Sequence, residues 1–164
     1  MNLAALEVAR EEMESGAQEV GGNNLGEFVK KYHGRDSLEG QPWCASFLSW
    51  CYLQAAQRAG VDLPFKTSGS ARALFKNIAR AGEKDMTPRP GDAVLWKRGS
   101  SSWQGHIGIV VDCDPDAGSN GESGAGFVSI EGNSGSYSKT RGRVRQIRHS
   151  SGEDALLGFA RLKD

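Results

Sequence analysis

Gln41-Pro42-Trp43-Cys44-Ala45-Ser46-Phe47-Leu48-Ser49-Trp50 reads as the opening of a helix that carries a cysteine in its first turn. From Cys44 onward, Phe47, Leu48, Cys51, Tyr52, Ala55 and Ala59 recur at helical spacing. They place one apolar stripe against a core. Cys44 lies on that stripe, but in the turn where backbone N–H groups lack intrahelical partners. Those groups and the helix dipole favour an anion, so a thiolate there is stabilised. The same position also suits a small buried hydrophobe, the ordinary fate of a free cysteine. A nucleophile needs a histidine brought to it from elsewhere in the chain.

The segments before this helix are helical too. Residues 3–14 form a first helix that Asn2 can cap, with Leu3, Leu6, Ala9 and Met13 on one side. A polar, glycine-rich loop follows. Asn24 can cap a short second helix with Leu25, Phe28, Val29 and Tyr32 inward. The central helix spans residues 43–59 and stops at Gly60. Ser70 caps a fourth, with Ala71, Leu74, Phe75 and Ile78 on one face. After Thr87 the period changes to alternation. Strands are predicted at 93–96, 106–111, 127–131, 143–147 and 157–162. A serine-rich loop at 99–104 and a long polar loop at 112–126 separate them. Helices first and strands second predict an α+β fold, N-terminal helices packed on a C-terminal antiparallel sheet. Trp50 and Trp96 are expected in its core.

The 164 residues suit one domain spanning 1–164. Lys+Arg and Asp+Glu balance at 20 each, so no basic surface points to nucleic acid. No apolar run is long enough to insert in a membrane. The first residues, Met1-Asn2-Leu3-Ala4-Ala5-Leu6-Glu7, lack the basic region of a signal peptide, so synthesis in the cytoplasm is expected. Three widely spaced cysteines argue against a disulfide framework and a zinc site. A monomer without cofactor or metal is expected.

Three histidines could serve a thiol nucleophile. His33 ends a helix in a polar loop, and His149 falls in what reads as an exposed turn. His106 opens the most apolar strand and shares a face with Gly108 and Val110. Gly108 leaves room for a close approach, most naturally by the central helix. Position alone also fits a solvated strand-end histidine. If strands 106–111 and 127–131 pair antiparallel, His106 lies beside Glu131 and Asn133. Either could orient the imidazole; only the carboxylate would also stabilise imidazolium.

Four motifs occur in order: Pro42-Trp43-Cys44-Ala45, Pro90-Gly91-Asp92-Ala93-Val94-Leu95-Trp96, Trp103-Gln104-Gly105-His106-Ile107-Gly108-Ile109-Val110, and Ile130-Glu131-Gly132-Asn133. Together they resemble the CHAP family (cysteine, histidine-dependent amidohydrolase/peptidase), over nearly the whole chain. The resemblance implies a papain-like fold, Cys44 as nucleophile, His106 as general base, Glu131 as third polar residue and Asn133 as a nearby orienting residue. It also implies cleavage of peptidoglycan amides, as an N-acetylmuramoyl-L-alanine amidase or a peptide endopeptidase. The helix-start N–H of Cys44 would meet the oxyanion, with a side-chain donor from Gln41. Trp43 and Trp103 flank the reactive residues in sequence and would wall a substrate groove.

Asp112-Cys113-Asp114-Pro115-Asp116-Ala117 alternates carboxylates, but Ala117 and Ser123 stand where a calcium loop needs glycine and glutamate. A solvated acidic loop is the better reading. Cys51, two turns into the helix, is expected to pack, and Cys113 ends a strand with no obvious base beside it. Lys139-Thr140-Arg141-Gly142-Arg143-Val144-Arg145 reads as a solvated strand edge. A wall substrate without an encoded signal implies delivery, either as an antibacterial effector passed by a secretion system or as a phage lysin. An effector would require an immunity protein covering the Cys44 cleft. The rival functions are a non-catalytic peptide-binding module and a cysteine peptidase acting on proteins.

Overall fold

The computed structural model describes residues 1–34, 38–114, 126–135, 138 and 141–163. Four helices come first: α1 (Asn2–Glu14), α2 (Glu27–His33), α3 (Cys44–Ala59) and α4 (Ala71–Ala81). Six strands follow: β1 (Glu83–Asp85), β2 (Ala93–Lys97), β3 (Gly105–Asp114), β4 (Gly126–Ser134), β5 (Arg143–Ser150) and β6 (Leu156–Arg161). They form one antiparallel sheet in the order β1-β6-β2-β3-β4-β5. The fold is the α+β arrangement that the change of period predicts. Residues 115–117 and 123 of the acidic segment, and Lys139 and Thr140 of the basic one, lie outside the described residues.

Alternation along the strands divides the interior in two. Leu95, Ile107, Ile109 and Ile130 pack with the helices in the main core. Val94, Trp96, Val110, Phe127 and Phe159 form a second cluster with side chains of opposite parity. The central helix is buried along most of its length, including Phe47, Leu48, Cys51 and Tyr52. Gly60 stops it in the left-handed conformation, φ 66°.

Helix α3 comes closest to β4 at a glycine. A Cβ on Gly132 would lie 2.8 Å from the Phe47 ring and its Cβ. The bare backbone there lets the first turns of α3 settle against β4. Gly108 has a different function from the one its position suggests. A Cβ on it would sit 2.8 Å from Cγ of Glu131 and 3.0 Å from the carbonyl of Ile130. It makes room for a neighbouring carboxylate, not for the helix.

Two expected caps are spent elsewhere. Asn2 makes no cap; its amide donates to the carbonyl of Leu162 (2.8 Å) and its Oδ1 accepts from the Leu162 N–H (3.1 Å). Asn24 reaches the Gly40 carbonyl at 3.1 Å, and α2 begins later, after Gly26. Ser70 caps α4, accepting from the N–H of Ala73. Asp92 of the Pro90-Gly91-Asp92 motif is structural. Both its oxygens accept from the buried Arg161 guanidinium, at 2.8 and 2.6 Å. That pair fastens the start of β2 to the end of β6.

Candidate active site

Cys44 is the first residue of α3, after Trp43 at the N-cap, which makes no side-chain cap. The helical ladder begins with the Phe47 N–H on the Trp43 carbonyl, so the N–H groups of Cys44, Ala45 and Ser46 precede it. Those of Ala45 and Ile107 serve the sulfur. Burial alone would push the Cys44 thiol up. The hydrogen bond and charge of His106, with the two N–H groups, outweigh it and bring the thiol below its ordinary value.

His106 is buried on β3, and its Nε2–H donates to Oε2 of Glu131 at 2.6 Å. That leaves Nδ1 for the thiol of Cys44. Burial opposes the imidazolium, but its bonds to Cys44 and Glu131 raise it to about 9. A lowered thiol beside a raised imidazole favours a thiolate–imidazolium pair. Glu131 is also buried, which by itself would raise it. Donation from His106, His149 and Ser129 holds its carboxyl far below the usual range instead.

The antiparallel pairing of β3 with β4 brings His106 and Glu131 together, as the strand pattern predicts. Asn133 sits two residues on, at a bulge with φ 54°. The Nε2 of His106 is bonded to Glu131, not to Asn133. Gln41 is exposed just before α3. Its carbonyl is within 3.2 Å of Nε2 of His33, whose Nδ1 lies 2.8 Å from the Ser46 hydroxyl. His33 is therefore buried, not a free loop residue, and it ties the 38–41 turn to α3. Burial lowers its basicity.

The two flanking tryptophans part ways. Trp103 is 71% exposed near the start of β3. Trp43 is completely buried, so it cannot wall a groove. It stacks on Tyr32, and its indole N–H donates to Glu19, itself held by the Gly142 N–H. Among the described residues, no group of His, Cys, Asp and Glu is arranged to hold a metal ion.

His149 also departs from expectation. It lies within β5, not in an exposed turn, and its Nε2 lies 2.6 Å from Oε1 of Glu131. Continuing the alternation from Arg145 and Ile147 would have placed it on this face. Trp96 lies against both imidazoles, with centroids 5.9 Å from His106 and 4.6 Å from His149.

A family model, the CHAP domain, matches residues 36–133, well over half of the chain and every residue of the Cys44–His106–Glu131 line. The chain belongs to the CHAP domain family. This CHAP domain is thus a hydrolase of the cysteine, histidine-dependent amidohydrolase/peptidase kind. Among solved structures it is similar in fold to one described as "The crystal structure of Ly7917", with a TM-score of 0.56 and 17% identity. The likeness covers 99% of this chain and 62% of that one, so the chain spans under two thirds of its length. Comparison with curated proteins gave no match.

Proposed function

We propose that this CHAP domain cleaves amide bonds of peptidoglycan through a thioester on Cys44. The observation that carries the reading is the buried line from the Cys44 thiol through His106 to Glu131, closed by the 2.6 Å bond. The Cys44 thiolate attacks the amide carbonyl carbon. The oxyanion is met by the Cys44 N–H, with the Gln41 side chain as a further donor. The C–N bond then breaks as the His106 imidazolium gives its proton to the leaving amine. Water next loses a proton to His106 and attacks the thioester. The C–S bond breaks and the thiolate returns. Glu131 keeps Nε2 protonated, so that Nδ1 exchanges the proton in each half-reaction. Trp103, exposed three residues before His106 in sequence, would offer a flat apolar face to the substrate.

Mass spectrometry of soluble fragments, after incubation with peptidoglycan, tests the proposal beside a Cys44→Ala control. Fragments that require Cys44 are expected. Free stem peptides would identify an amidase, and shortened or separated crosslinked peptides an endopeptidase. An intact wall, with folded and reduced protein, would overturn it.

A further inference from the structure

Glu131 carries more partners than a histidine-orienting carboxylate needs. Oε2 accepts from His106, while Oε1 accepts from the Ser129 hydroxyl at 2.7 Å and lies 2.6 Å from His149 Nε2. The other ring nitrogen of His149, Nδ1, lies 3.1 Å from Oε1 of Glu153. Both partners of the ring are carboxylates, which only accept. Both ring nitrogens must therefore donate, and a histidine that donates twice is an imidazolium. Phe127 stacks on this ring, Trp96 lies tilted against it, and the indole N–H of Trp96 donates to Oε2 of Glu153 at 3.0 Å. His149 lies outside the family-matched residues, so membership assigns it nothing.

We propose that His149 is a positioning residue of this site: as a cation bridging Glu131 and Glu153, it pins Oε1 and so holds Oε2 on His106. The inference rests on the catalytic reading above. A carboxylate on a flexible side chain can turn about its last torsion. The second histidine fixes that torsion from the far side, in a buried setting where a lost partner is costly. The charged groups around it come from several elements: Glu131 on β4, Glu153 after β5, His106 on β3 and Cys44 on α3 beyond it. Arg145, on the same face of β5, donates to the Ser134 hydroxyl at 2.9 Å. Burial opposes the cation, and the two carboxylates outweigh it, raising His149 above its ordinary value.

The first measurement uses the unaltered protein. Imidazole nitrogen NMR at neutral pH should find both His149 nitrogens protonated; a neutral ring overturns the proposal. The second follows the downfield proton on Nε2 of His106 and the rate at which iodoacetamide alkylates Cys44. In His149→Phe, which keeps the stacking but cannot donate, that proton should broaden or vanish. Alkylation at neutral pH should slow about tenfold, the value of one charged hydrogen bond. His149→Gln, which can still donate to Glu131, should restore most of both. An unchanged proton and rate in folded His149→Phe would overturn the proposal and leave the catalytic reading standing. A Cys44 that alkylates like an ordinary thiol in the unaltered protein would overturn both.

Discussion

Replacing Glu131 with glutamine changes one atom and should disable the site through tautomer choice. Oε1 accepts from Ser129 and lies against His149, so the glutamine oxygen must occupy that side. Its NH2 group then faces Nε2 of His106. Two donors cannot face each other, so Nε2 must become the acceptor and the ring proton moves to Nδ1. That proton points at Cys44, and the ring can no longer take one from the thiol. The imidazolium also loses the carboxylate that helps raise it from 6.5 to about 9, a shift worth about 3 kcal/mol shared between Glu131 and Cys44. The lost charge and the wrong tautomer together predict a fall in hydrolysis of roughly 10³- to 10⁴-fold. The assay pairs release of wall fragments with Cys44 alkylation across pH. In Glu131→Gln, alkylation should return above about pH 9, where an ordinary thiol ionises; hydrolysis should not return. Near-normal hydrolysis, or its recovery along with alkylation, would refute the tautomer argument.

In the unaltered domain, fragment release should rise at a pH below the usual thiol range and fall as His106 loses its proton near 9; a profile rising only with ordinary thiol ionisation would contradict the ion pair. Acid stability should depend on Glu131, whose folded carboxyl is held below the unfolded 4.5. Its contribution is complete above 4.5 and drains away as pH falls toward the folded value, so Glu131→Gln should flatten that part of a Tm-against-pH curve. Gly132→Ala presses a methyl group onto Phe47 and should cost about 1–3 kcal/mol in urea unfolding, with lower activity from the displaced helix. Asp92→Asn leaves the Arg161 guanidinium partly uncompensated; Asp85 still reaches it at 3.1 Å, so the loss should fall at the lower end of about 3–5 kcal/mol, with little change in the pH profile.

The parts of the site that were legible in the sequence are those set by local rules. Helical period marked the mount of Cys44, and antiparallel adjacency brought His106 to Glu131. What escaped depends on partners far along the chain. Trp43 is buried because Glu19 and Tyr32 receive it, and nothing near residue 43 announces that. Asn2 has a good cap position, but Leu162 competes for its amide and wins. Strand β1, Glu83-Lys84-Asp85, has no apolar alternation because it is a charged edge. His149 lies past Ile147, where the apolar signal of β5 stops although the strand continues to Ser150.

The place of β6 also bears on how the molecule comes into being. Strand β6, which follows the other five strands in sequence, lies between β1 and β2, which are not hydrogen-bonded neighbours of each other. During synthesis from the N-terminus, the sheet keeps a vacant slot until Leu156–Arg161 leave the ribosome. Arg161 then arrives to neutralise Asp92, already waiting at the head of β2. Deleting Leu156–Arg161 would therefore remove an interior strand, not a dispensable fringe. Closure of the sheet is therefore expected to wait for β6.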